Sequence, residues 1–175
     1  MKVQGKRILQ VLITIGLSLL FFMSMSTSTT HQTAYAADQT LQHIKNKGTL
    51  VVATSPDYPP YEFLADTKGK ERIVGMDIKV MEKICKDLGV KLKWKSMSYD
   101  SLLVAIQTGK ADVAIGGINP TAKRRQSVDF SDIYYSGGQA FLINKTDKAK
   151  FTSQKQLTNK KIGAQTGTLQ YELAK

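Results

Sequence analysis

At 175 residues the chain is long enough to bury one good core, and length alone predicts one domain or one and a fraction. Apolar content of 42% beside 22% charge is that of a globular protein, and a single cysteine, Cys85, excludes an internal disulfide framework. The formal charge of +11 rests on lysines scattered along the chain without a nucleic-acid motif, so it reads as a solvated surface with a non-specific pull toward an anionic envelope, not as a nucleic-acid groove.

Lys2, Lys6 and Arg7 precede an apolar run over 8–25, a Ser/Thr-rich stretch and Ala34-Tyr35-Ala36. This is the order of a secretory leader: charged region, apolar region, small-x-small cleavage site. Cleavage is expected after Ala36, leaving Ala37 as the new N-terminus. The competing reading is an uncleaved anchor, since 18 residues just span a bilayer, although Gln10, Thr14 and Ser18 weaken it. No cysteine closes the apolar run, so lipid attachment is not expected. Removing the leader lowers the formal charge to +8, because Lys2, Lys6 and Arg7 are its only charges.

Residues 41–47 read as a short helix ended by Gly48, and 49–54 as a buried β-branched strand. A loop with three prolines follows over 55–60, at the carboxyl end of that strand, where open α/β sheets hold ligands. Residues 66–70, Asp-Thr-Lys-Gly-Lys, form an exposed turn. A helix is predicted over 77–88, with Ile78, Met81, Ile84, Cys85 and Leu88 as its apolar stripe and Gly89 as its stop. A strand over 90–95, a helix over 100–108 with Leu102, Leu103 and Ile106 inward, and a strand over 111–115 complete an alternation that predicts a parallel sheet with right-handed crossovers. Beyond Gly137-Gly138, residues 139–144 are expected to cross over as an extended segment, 160–164 to form a strand, and Gly167-Thr168 to start a helix.

The run from Gly116 to Arg124, Gly-Gly-Ile-Asn-Pro-Thr-Ala-Lys-Arg, sets a strand end, a glycine pair, small hydroxyl or amide side chains and an arginine within nine residues. Backbone N–H groups and an arginine fork together satisfy a carboxylate taken out of water, which otherwise costs roughly several kcal/mol. The pattern suits recognition of a small anion. The block Asp112-Val-Ala-Ile-Gly-Gly-Ile, then Thr121-x-x-Arg124, then Val128-Asp-Phe-Ser131, resembles the extracytoplasmic solute-binding proteins of polar amino-acid ABC importers. Three further segments agree in order and spacing: Val51 to Phe63, Gly75 to Ile84, and Gly163-Ala-Gln-Thr-Gly-Thr168.

The resemblance implies an α/β, two-lobed, type II periplasmic-binding-protein-like fold. Lobe one would occupy 37–138, and 139–175 would hold the hinge crossing and the start of a lobe two that the chain leaves incomplete. It also implies a free amino acid as ligand, a membrane permease as partner, a monomeric state, no cofactor and no metal. Arg124 would pair with the ligand carboxylate, joined by Thr121 and Asn119, while the carbonyl of Gly117 would accept from the ammonium. Thr121 also suits the N-cap of a short helix. Tyr58 and Tyr99 would sandwich the ligand side chain, Ser55 and Asp57 would read its far end, and Gln165, Thr168 and the N–H of Leu169 would come from lobe two. Ser55 stands where cation-selective members often carry Asp, which favours glutamine or asparagine, while Asp57 keeps a basic ligand open. Tyr61 and Phe63 alternate as core residues, Asp77 reads as an N-cap or packing carboxylate, and Glu62 has no evident partner for acid catalysis. A binding protein is therefore set against a same-fold enzyme such as a dehydratase, a receptor sensor domain, and a truncated product.

Overall fold

The β-branched, apolar run at Thr49–Thr54 has no polar face to give to water, and it becomes the centre of a sheet. In the computed structural model, which describes residues 39–175, this strand (β1) pairs in parallel with β5 (Lys91–Ser96) on one side and β6 (Val113–Ala114) on the other. The expected leader and its cleavage site lie outside the described residues. The described residues fall into two units: 39–47, which are helical, and Gly48–Lys175, which contains everything that follows.

Between β1 and β5 runs α1 (Met76–Leu88), closed by Gly89 in the left-handed region with its N–H on the carbonyls of Cys85 and Lys86. Its buried face is Asp77, Ile78, Met81 and Cys85, whereas Ile84 is exposed, turned about 240° from Ile78 by the helical period. The expected stripe is corrected at that residue. Between β5 and β6, a single turn at Tyr99–Ser101 leads into α2 (Leu102–Gln107), and Leu102, Ala105 and Ala111 close over Ala53 of β1. The parallel strand–helix alternation is present as expected.

A second sheet was not anticipated. The proline loop holds β2 (Asp57–Tyr58), which pairs antiparallel with β3 (Glu62–Asp66), and β3 pairs in turn with β4 (Glu71–Val74). The β3–β4 turn is the expected Asp66-to-Lys70 segment, in which Asp66 Oδ1 accepts the Gly69 N–H at 2.7 Å. The hairpin ends against the start of α1: the N–H groups of Met76 and Asp77 donate to the carbonyls of Pro60 and Tyr61 at 3.1 and 3.0 Å. Gly75 permits this approach. Its φ is +132°, and a Cβ there would lie 2.1 Å from the Tyr61 carbonyl oxygen.

After β6 come α3 (Ala122–Arg125), N-capped by Thr121 as expected, and α4 (Leu169–Leu173), N-capped by Thr168. No strand forms at 139–144 or 160–164 among the described residues, contrary to expectation. A strand needs a ladder partner for its N–H and C=O groups, and neither stretch joins a sheet among the described residues; Leu142 is fully exposed.

Candidate functional site

The carboxyl ends of β1 and β6 carry the chain into 55–58 and 116–121, and the space between these loops opens into a cavity of about 520 Å³. Parallel sheets place ligands there because strand ends leave N–H groups and loops converging on one point. Asp57, Tyr58, Tyr99, Gly117, Asn119, Gln165 and Thr168 line it, seven residues singled out from the sequence. Ser55, Thr121, Arg124 and Leu169 do not.

Each absence has a local cause. Ser55 is buried at the end of β1, and its hydroxyl donates to Asp57 Oδ2 at 3.2 Å. Thr121 spends its Oγ1 on the N–H of Arg124, and Leu169 is the first residue of α4. Arg124 directs one guanidinium nitrogen to the carbonyl of Asn119 and the other to that of Gly167, both at 2.8 Å, and lies 6.0 Å from the Tyr99 ring centre. Gln165 Nε2 donates to Asp57 Oδ2 at 2.8 Å, so 165–167 is tied to Asp57 of β2 at one end and to Arg124 of α3 at the other.

Sequence reasoning missed the acidic floor. Glu62 and Asp77, each 1% exposed, line the same cavity and share a hydrogen bond. Asp77 is not the N-cap, a position held by Gly75, and it packs beside Glu62. The docking of β3 on α1 explains both, since it brings positions 62 and 77 together. Asp77 accepts the Tyr134 hydroxyl at 3.1 Å on both oxygens and the N–H of Gly117. Burial raises its proton affinity, and those donors hold it back. Glu62 Oε2 is buried with no amide or hydroxyl partner. Burial first, then the charge of Asp77, their shared hydrogen bond and the charge of Asp57 push the Glu62 carboxyl up to about 8. The available signal was a glutamate inside the apolar run Tyr61-Glu62-Phe63, which costs free energy without a partner or a purpose.

Tyr61 is corrected too: it is half-buried and lines the cavity instead of filling the core. Its ring stacks on Tyr58 at 4.9 Å and meets Tyr135 edge-on at 5.0 Å. The hydrogen bond with Tyr135, then burial, push its hydroxyl up to about 12. Burial raises Tyr99 and Tyr134 as well, with Arg124 opposing at Tyr99. Among the described residues no group of three or more potential ligands could hold a metal ion, and no helix is long and apolar enough to cross a membrane.

Acids, stacked rings and strand-end amides around one cavity are equipment for holding a small zwitterion. Residues 50–170 match the model of the bacterial extracellular solute-binding proteins, family 3. The chain belongs to this family. A probable histidine-binding protein of Campylobacter jejuni is 38% identical over 127 residues, 73% of this chain and 48% of its own length. An amino acid ABC transporter substrate-binding protein from Streptococcus pneumoniae, crystallised with L-arginine, is 45% identical with a TM-score of 0.74, covering 77% of this chain and 56% of that one. A mutant of the arginine-bound form of domain 1 from TmArgBP is 41% identical with a TM-score of 0.52, covering 56% of this chain and 74% of that one. These family members are named as binding proteins, not as enzymes, and share the type II periplasmic-binding-protein fold. The chain spans about half the length of the curated relatives it matches.

Proposed function

We propose that this protein captures a cationic amino acid, arginine foremost, outside the cytoplasm for delivery to an ABC permease. The observation that carries this reading is the cavity itself, where Asp57, Glu62 and Asp77 stand among Tyr58, Tyr61, Tyr99 and Tyr135. Carboxyls are counter-ions for a guanidinium or ammonium, and rings add apolar and cation–π contact. The argument for glutamine or asparagine rested on the Ser55 hydroxyl, which donates to Asp57 and belongs to a residue that does not line the cavity. The arginine-bound relatives lean the same way, and one of them is a single domain.

In this reading Arg124 exchanges a carbonyl partner for the ligand carboxylate. Asn119, Thr121, Thr168 and the N–H of Leu169 support that carboxylate, the carbonyl of Gly117 accepts from the ligand ammonium, and Gln165 closes over the side chain. Residues 139–175 act as the crossing and the start of a second lobe that approaches by hinge motion. A thermal-shift screen of the twenty amino acids at equal concentration should give arginine, lysine or histidine the largest stabilisation. Glutamine in first place would overturn the cationic reading.

We further read 1–36 as a cleaved leader of an exported, monomeric, non-lipidated protein, on the strength of Ala34 and Ala36 flanking Tyr35. Secreted material should begin at Ala37 on N-terminal sequencing, and material beginning at Met1 would favour the anchor.

A further inference from the structure

We propose that Glu62 and Asp77 form a proton-charged counter-ion: in the ligand-free protein one proton bridges the two carboxyls, and a cationic ligand side chain takes that proton's place and releases it to solvent. This rests on the cationic reading above and adds a proton to its stoichiometry.

Two buried carboxyls in one cavity floor favour a shared proton. Glu62 and Asp77 are each 1% exposed and line the same cavity, and burying two like charges side by side disfavours the doubly ionised pair. The donors settle which member is ionised. Asp77 accepts from the Tyr134 hydroxyl and the Gly117 N–H, whereas Glu62 Oε2 meets no donor, so Asp77 holds the charge and Glu62 the proton. The other titratable groups acting on the pair are Asp57 from β2, Tyr61 beside β3, Tyr99 from the turn before α2, and Tyr134. None of them is a cation, so nothing in the chain's own side chains around the pair supplies a charge to replace the proton.

Glu62 lines the cavity, and its partnerless oxygen is a ready acceptor for an N–H⁺ donor. A guanidinium or ammonium brought there stabilises the Glu62 carboxylate and lowers its proton affinity, and the proton leaves to buffer. A neutral amide brings no charge and leaves the proton where it is. Glu62 thereby becomes a specificity-determining residue whose preference for cations grows with pH.

Calorimetry with arginine in buffers of different ionisation enthalpy, from pH 6 to 7.5, counts the proton directly. Close to one proton should be released per arginine, with affinity rising about ten-fold per pH unit and levelling off above pH 8. Glutamine should release none. Glu62→Gln should abolish both the release and the pH slope for arginine, and Asp77→Asn serves as a second variant lacking the shared charge. Should both variants fail to fold, the wild-type proton count still decides. Arginine binding with no proton release overturns this inference and leaves the cationic reading intact. Tight glutamine binding without arginine binding, or no amino acid binding at all, overturns the reading beneath it and this inference together.

Discussion

In the proposed reading Glu62 and Arg124 meet the two opposite charges of an amino acid, and the fold holds them in opposite ways. Glu62, on β3 at the cavity floor, is 1% exposed with one oxygen lacking a hydrogen-bond donor, so an incoming cation meets a free acceptor and has only a proton to displace. Arg124 is half-buried and fully engaged, with the carbonyls of Asn119 and Gly167 at 2.8 Å, so a carboxylate must displace a protein acceptor to reach it. The acidic end is thus poised electrostatically and the basic end structurally. Gly167 belongs to the segment that Gln165 ties to Asp57, so breaking the Arg124–Gly167 bond removes one of that segment's two ties.

The largest expected effect breaks the basic end. Arg124→Ala should abolish amino-acid binding in calorimetry, a loss of roughly 2–5 kcal/mol for truncating one partner of a hydrogen-bonded charge pair. Arg125→Ala should leave affinity unchanged, because that guanidinium lies over the Phe130 ring at 5.5 Å, whereas Arg124 reaches Asn119, Gly167 and Tyr99. Equal losses from the two variants would remove the distinction between them and misplace the carboxylate.

A smaller effect sharpens the acidic end. Glu62 titrates near 8 in the fold and near 4.5 otherwise, so the native state holds the extra proton and loses stability as pH rises from about 4.5 through 8. Glu62→Gln cannot ionise and escapes that loss. At pH 8.5 it should be more stable than the parent by roughly 1–3 kcal/mol in urea unfolding, and near parity at pH 5. A variant destabilised equally at both values would mean that the carboxyl's contacts outweigh the cost of its charge.

The two ends also differ in how far the sequence disclosed them. Arg124, Thr121 and the glycine pair lie within nine residues, a local pattern whose N-cap and strand end form as read. The parallel alternation of β1, α1, β5, α2 and β6 was equally open to periodicity, since each element carries its own apolar face. Glu62 and Asp77 are fifteen positions apart and meet only because a hairpin folds back on the start of α1 through the close passage at Gly75. No local pattern records that contact. β2 and β4 were hidden for a related reason: at two and four residues they are too short for alternation to stand out, and antiparallel pairing with β3 defines them. The expected strands at 139–144 and 160–164 erred in the other direction, their extended composition meeting no partner strand among the described residues.

The smallest effect tests whether Tyr134 belongs to the acidic end or merely borders it. Its hydroxyl reaches both Asp77 oxygens at 3.1 Å, but Asp77 keeps the Gly117 N–H and the bond with Glu62, so Tyr134→Phe should cost only about 1 kcal/mol in urea unfolding. The diagnostic readout is the pH dependence. Removing a donor that favours the Asp77 carboxylate raises the proton affinity of the coupled pair, so the pH at which arginine affinity levels off should move upward from the parent's value. Unchanged stability together with an unchanged pH profile would place Tyr134 outside the proton-holding group and leave Gly117 and Glu62 as the donors that define it.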